Sequence, residues 1–302
     1  MNRWDCIVVG GGAAGLSAAL VLGRARRRTL LVDAGQPSNS PAEGIGGLLG
    51  HDGRPPGDFY ARGREELRSY PAVEVRSGTV TAGRRSDDGF LLELNDGAVE
   101  DSGTVLLATG MAYEYPRVAG AEERWGRSVF HCPFCHGWEV RERPLGVLDA
   151  GATGAHRALL LLAWSDDVTL FTEGAPQFEA AEAERLTAAG VRIEERRVAE
   201  LRGQAPDLGQ VALEDGSAVR CEGLLVATTM RQRSDLAWQL GAKPAEPGPV
   251  AADAVTVDGM FSTDVPGLSV AGDASAQMPS VAAAVFSGSI AAAGIVRARV
   301  AA

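Results

Sequence analysis

Residues 6–33 read CIVVGGGAAGLSAALVLGRARRRTLLVD, and this run decides the fold. Four apolar residues, Cys6 to Val9, predict a buried strand; Gly10-Gly11-Gly12-Ala13-Ala14-Gly15 opens an Ala/Leu-rich helical pattern; TLLVD predicts a second strand ending at Asp33. Together they make a βαβ unit. Gly10 allows the tight turn, Gly12 lets the backbone approach a pyrophosphate, and Gly15 permits close helix-to-strand packing, while the helix start offers free N–H groups to the anion. Asp33 follows Gly15 by eighteen residues, where a carboxylate meets an adenosine ribose hydroxyl. A bound dinucleotide is the expectation.

Working outward, TVLLATG (Thr104 to Gly110) predicts another strand of the same sheet. Near the carboxyl end GLSVAGDAS closes a strand on Gly272-Asp273, and the Ala-rich stretch VAAAVFSGSIAAAGIV, from Val281, reads as a helix. A carboxylate between strand and helix can hold the ribityl chain of a flavin, and the helix start can stabilise negative charge on its ring. Between these segments lies a degenerate copy of the same plan: LGVLDAGATGAHRALLLL, DVTLFTEG and CEGLLVATT. The predicted fold class is therefore α/β, with two Rossmann-like domains, the second inserted into the first. Residues 1–112 and 248–302 are assigned to a flavin domain and 113–247 to the insert.

The 302-residue chain carries 29 basic and 39 acidic residues, a formal charge of −10, with the basic residues scattered. That balance argues against nucleic acid as a partner. No apolar run is read as reaching the roughly 18–20 residues of a membrane span, and the amino terminus runs directly into a strand pattern, so a cytoplasmic protein without a membrane partner is expected. Four cysteines are too few for a disulfide scaffold. Cys6 and Cys221 precede apolar runs and read as small core residues.

Cys132 and Cys135 remain, in His131-Cys132-Pro133-Phe134-Cys135-His136-Gly137-Trp138-Glu139. A C-x-x-C pair cycles between dithiol and disulfide, and a nearby proton acceptor makes a thiolate available near neutrality; His136 or His131 can serve. The C-x-x-C-H pattern also matches c-type haem attachment, which requires export. A zinc site would need four ligands from six consecutive residues. Neither is expected, and no metal is assigned.

Taken together, the GGGAAG turn, the ATG strand, the inserted fold bearing CPFC and the terminal VAGDAS resemble the low-molecular-weight thioredoxin reductase family over essentially the whole chain. The resemblance implies FAD. It assigns Gly10, Gly12, Ala13, Ala14, Gly15 and Asp33 to the ADP half, Gly35 and Gln36 to the start of the loop toward the flavin, and Val80 to the adenine through its backbone. Ala108, Thr109 and Gly110 of the ATG strand, Gly272 and Asp273 at the ribityl chain, and Val281 at the helix near the ring complete the set. It also implies a homodimer.

Two departures bear on the reaction. The second nucleotide turn reads Asp149-Ala150-Gly151-Ala152-Thr153-Gly154, placing a carboxylate where the first glycine belongs, near the site of an anionic pyrophosphate. The following strand ends Phe171-Thr172-Glu173-Gly174, without an Arg for a ribose phosphate, although Glu173 can accept a ribose hydroxyl. NAD(P)H binding is thus doubtful, unless Asp149 turns outward. The second departure is His136, where the family's reductases carry Asp; CPFCHGWE together with MPSVAAAVFSG is similar to the flavin-dependent dithiol oxidases that close disulfides in gliotoxin- and holomycin-type natural products. That resemblance implies a small-molecule dithiol substrate, Cys132, Cys135 and His136 as catalytic residues, and dioxygen as electron acceptor giving hydrogen peroxide. An NAD(P)H-dependent disulfide reductase and a flavin-binding redox sensor or thiol-sequestering protein stand as alternatives.

Overall fold

The computed structural model describes residues 3–276 and 278–301. It divides into two compact units: Met1–Ser40, Arg54–Tyr113 and Thr229–Ala302 form the first, and Pro41–Gly53 and Glu114–Thr228 the second.

In the first unit, five parallel strands lie in the order Leu268–Val270, Val105–Leu107, Cys6–Val9, Thr29–Asp33 and Val73–Ser77. The first four are largely apolar and buried on both faces, as a covered parallel sheet requires, while the edge strand Val73–Ser77 reads VEVRS and is partly exposed. One face packs on the helices Ala13–Arg24 and Val281–Ala301 through Val8, Leu31, Leu106, Ala18, Ala291 and Ala292. The other packs on the antiparallel sheet Val80–Ser86, Gly89–Leu94 and Val99–Ser102 through Ile7, Leu30, Phe90 and Leu92. The two helices approach so closely that a Cβ on Gly288 would stand 2.0 Å from the Ala14 carbonyl oxygen.

The second unit repeats the plan. Its parallel sheet runs Arg192–Glu194, Val168–Phe171, Leu145–Leu148, Gly223–Val226, Val129–Phe130, and an antiparallel sheet follows as Val198–Arg202, Gln210–Leu213 and Ala218–Arg220. The helix Ala152–Leu161 buries Ala155, Ala158 and Leu161 beneath the sheet. Cys6 and Cys221 are buried free thiols, as expected, and burial pushes each thiol up to about 12.

Two expectations need correction. The observed division differs from the boundaries 112/113 and 247/248: residues 229–247 belong with the first unit. Thr229–Gln232 pairs with Met111–Glu114, and Leu236 and Leu240 sink into the core around Val80, Phe90 and Leu92. The Gly83 N–H also donates to Gln239 Oε1 at 2.8 Å. Second, the carboxyl-terminal helix does contain an apolar stretch long enough for a membrane span, Val281–Val300, with mean hydropathy 1.7. The Ser287-Gly288-Ser289 interruption hides its length in the sequence, and that interruption is where the helix meets the Ala13–Arg24 helix.

Candidate functional site: a dinucleotide cradle and a redox pair

In the first unit, Gly10 sits at φ +105°, and a Cβ there would lie 2.2 Å from the Ala108 carbonyl oxygen. A Cβ on Gly15 would lie 1.8 Å from the Gly10 carbonyl oxygen, so the turn closes only with glycine at both positions. Around Gly12, by contrast, nothing approaches within 4 Å of a would-be Cβ. This is the open side of the turn, at the start of the helix bearing Ala13 and Ala14, where backbone N–H groups can meet a pyrophosphate.

Asp33 Oδ1 accepts the N–H groups of Gly11 and Gly35, each at 3.0 Å. Its Oδ2 lies 3.7 Å from the Arg64 guanidinium. A cavity of about 660 Å3 opens here, lined by Gly11, Asp33, Gly35, Tyr60, Arg64 and Thr79 among others. Its size suits a nucleoside. Val80 itself buries its side chain in the core, leaving Gly78 and Thr79 on the cavity wall. Tyr60 Oη donates to Asn39 Oδ1 at 2.8 Å, bracing the wall.

Farther along, Ala108-Thr109-Gly110 follows the strand Val105–Leu107, with Gly110 at φ +70°. Gly272, at φ +74°, donates its N–H to Ser287 Oγ at 2.9 Å. Tyr113 Oη donates to Asp273 Oδ2 at 3.2 Å. Burial raises the Asp273 carboxyl above its ordinary range, against the opposing pull of Tyr113 and Arg233. The Gln36 carbonyl accepts from Arg233, and Val281 begins the last helix. An open glycine turn, an anchored ribose-side carboxylate and a second, buried carboxylate after a strand fit FAD. All the expected cofactor residues lie in this unit. Sequence reasoning missed Gly11, Tyr60, Arg64 and Tyr113; of these only Gly11 carried a signal, being flanked by the motif.

The second unit carries the redox pair. Cys132 and Cys135 are joined as a disulfide with Cα atoms 5.4 Å apart, at the start of the short helix Pro133–His136. His136 stacks on Phe130 (5.5 Å, 13°), and His131 stacks on Trp125 (5.7 Å, 25°). His136 Nε2 lies 3.0 Å from the Gly126 carbonyl oxygen. A carbonyl only accepts, so Nε2 carries the proton in the neutral ring and Nδ1, which makes no hydrogen bond among the described residues, holds the lone pair. Burial lowers the His136 pKa, against the Gly126 and Cys132 carbonyls and Glu139, which raise it. Burial, with the nearby charges of His136 and Arg157, pushes His131 down to about 4.

The loop Pro41–Gly53 belongs to this unit, although it falls within residues 1–112, assigned from the sequence to the flavin domain. A Cβ on Gly46 would stand 2.6 Å from the Cys135 carbonyl oxygen, so this glycine lets the loop back directly onto the redox pair.

In the second nucleotide turn, one backbone N–H is bound from within. Asp149 Oδ1 accepts the Gly151 N–H at 3.0 Å, and Oδ2 pairs with Arg157 at 2.7 Å. Asp149 thus turns inward, to the start of the helix Ala152–Leu161, and not outward. Glu173 accepts the Val198 N–H at 2.6 Å, so the candidate ribose carboxylate is tied to a neighbouring strand.

Comparison with known proteins identifies the family. Residues 4–288 match the family model described as pyridine nucleotide-disulphide oxidoreductase. The chain is similar to a protein named thioredoxin reductase tcpT of Claviceps purpurea, 31% identical and covering 96% of this chain and 92% of that one. Among solved structures it is similar to an oxidoreductase from Agrobacterium tumefaciens, 38% identical with TM-score 0.93 over 99% of both chains. It is also similar to HlmI, 35% identical with TM-score 0.91 over 99% of this chain and 93% of that one. With its two dinucleotide-type folds, FAD cradle and C-x-x-C disulfide, the chain belongs to the pyridine nucleotide-disulphide oxidoreductases, as a thioredoxin reductase-like flavoprotein.

Proposed function

We propose that the protein is a dithiol oxidase that closes a disulfide within a small-molecule dithiol and passes the electrons to dioxygen. One observation carries the reading: the Asp149 carboxylate accepts the Gly151 N–H at the start of the second helix, beside where a nicotinamide dinucleotide's pyrophosphate would sit, and Arg157 holds it there. A reductase of this family requires that position for its electron donor. An oxidase does not.

One substrate thiol, deprotonated with help from His136, attacks Cys132 and breaks the Cys132–Cys135 bond. The second substrate thiol then displaces Cys132, and the substrate leaves as a disulfide. When bound, FAD supplies a two-electron acceptor that dioxygen can reoxidise. Cys135, assigned by the resemblance as the flavin-side sulfur, gives up the electron pair as its bond to Cys132 re-forms. The sum is one dithiol and one dioxygen consumed, one disulfide and one hydrogen peroxide made. The proposal includes a cytoplasmic homodimer with neither nucleic acid nor membrane as partner.

The name thioredoxin reductase borne by the Claviceps purpurea relative favours a second reading, NAD(P)H-driven reduction of a disulfide. Anaerobic absorbance at the flavin band separates the two. Bleaching by dithiothreitol but not by NADPH or NADH, with peroxide formed when air is admitted, is expected of the oxidase. Rapid bleaching by either nicotinamide would overturn it, and absence of multiple turnover with any dithiol would favour a redox sensor.

A further inference from the structure

Two large aromatic side chains beside the redox disulfide face water. Phe134, between the two cysteines, is 68% exposed, and Trp138, three residues after Cys135, is 65% exposed. Leaving two such rings in solvent forgoes the burial that normally governs aromatic placement. Neither ring is loosely held. Phe134 meets Trp164 edge-on, with centroids 5.5 Å apart at 80°. The Trp164 indole is itself wedged against Gly137, where a Cβ would stand 2.8 Å from the ring. Trp138 carries the Arg141 guanidinium 3.8 Å from its centroid, and Arg141 also donates to the Trp138 carbonyl at 2.6 Å. On the loop backed against Cys135, Leu49 is 98% exposed.

We infer that Phe134 and Trp138 are a preorganised platform that selects dithiols with a flat, apolar, unsaturated body. The inference rests on the dithiol-oxidase reading and adds the substrate class. Its occupant follows from position: a molecule seated on these rings must also deliver a thiol to a disulfide that one of the rings separates and the other flanks. Rings already fixed by Trp164 and Arg141 lose little freedom on binding, so they favour a rigid planar partner over a flexible polar one. Arg141, lying over one face of Trp138, leaves the opposite face to the substrate and disfavours positively charged dithiols.

The test compares 1,2-benzenedimethanethiol with dithiothreitol. Each closes a six-membered cyclic disulfide, so the pair differs chiefly in the flat apolar face. On the FAD-loaded protein, oxygen uptake is expected to show kcat/KM for the aromatic dithiol at least about tenfold above that for dithiothreitol. Phe134→Ala and Trp138→Ala should each lower that ratio by about two- to tenfold, through KM. Trp138→Phe should retain most of it. A wild-type ratio near one, or a ratio unmoved by both substitutions, overturns the platform. So does reduced thioredoxin outcompeting both small dithiols and losing that advantage in the same variants, which would make the surface a protein-docking site. A second readout does not depend on turnover: the cyclic disulfide of 1,2-benzenedimethanethiol should quench tryptophan fluorescence saturably in wild type, and the quench should shrink in Trp138→Phe. Absence of that quench sinks the platform, whereas quenching without oxygen uptake sinks the oxidase reading alone.

Discussion

Replacing Asp149 by Asn tests whether the Asp149–Arg157 pair at the second nucleotide turn is held out of water. The Asp149 and Arg157 side chains are 16% and 15% exposed and meet at 2.7 Å. A fully exposed pair contributes about 0.2–1 kcal/mol, while breaking a buried one costs about 3–5 kcal/mol because a desolvated charge is left behind. At this partial burial the expected cost of Asp149→Asn is about 2 kcal/mol, roughly a thirtyfold change in the unfolding equilibrium. Asp149→Ala also strands the Gly151 N–H and should cost about 1 kcal/mol more. Adding Arg157→Met to Asp149→Asn removes the orphaned charge, so the double-mutant cycle should return a coupling of about 2 kcal/mol. Urea unfolding of the FAD-loaded protein, followed by tryptophan fluorescence, reports on this region because Trp125, Trp138 and Trp164 lie in the second unit. The coupling should survive high salt, since a desolvated pair is weakly screened. A coupling below about 0.5 kcal/mol would show a solvated surface pair and refute the desolvation of Asp149 and Arg157.

Three further outcomes are expected. Gly15→Ala should release FAD, because its Cβ would strike the Gly10 carbonyl, whereas Gly12→Ala should keep a folded turn and show only weakened FAD binding; equal retention in both, read by flavin absorbance after gel filtration, would contradict the cradle. His131 has a folded pKa of about 4, below its unfolded value, so its contribution to stability is complete above about pH 6.5 and is lost as pH falls toward 4. That amounts to about 3 kcal/mol, and His131→Gln should flatten stability measured across this window. Because burial lowers the His136 pKa, the acid limb of kcat/KM should lie below pH 6.5, and His136→Ala should cost about a hundredfold; full turnover across pH in that variant would remove His136 from the mechanism.

Much of this was legible in the sequence because close backbone approach dictates residue type. Gly10 and Gly15 sit where no Cβ fits, and Asp33 ends a strand where two backbone N–H groups converge. The short strands Leu145–Leu148, Val168–Phe171 and Gly223–Val226 announce themselves as apolar runs because a parallel sheet buries both faces. What stayed hidden depends on side chains meeting at a distance. Nothing about Arg157 as a letter distinguishes it from the other arginines until it is found on Asp149, and Tyr113 reaches Asp273 across 160 positions. The domain boundary failed for the same reason: Thr229–Gln232 has no run of apolar residues, and its place is set by pairing with Met111–Glu114.

The seating of Gly46 against Cys135 also bears on how such a protein can be recombined. The chain passes between its two units after residues 40, 53, 113 and 228, so the unit carrying the cysteines is encoded in two separate pieces. A gene fragment cut at residues 114 and 228 would carry both cysteines but leave behind the thirteen-residue loop Pro41–Gly53 that covers the Cys135 backbone. Chimaeras with relatives must therefore exchange the short piece along with the long one. In a natural lineage, the two pieces have to change in step wherever the backbone around Cys135 shifts.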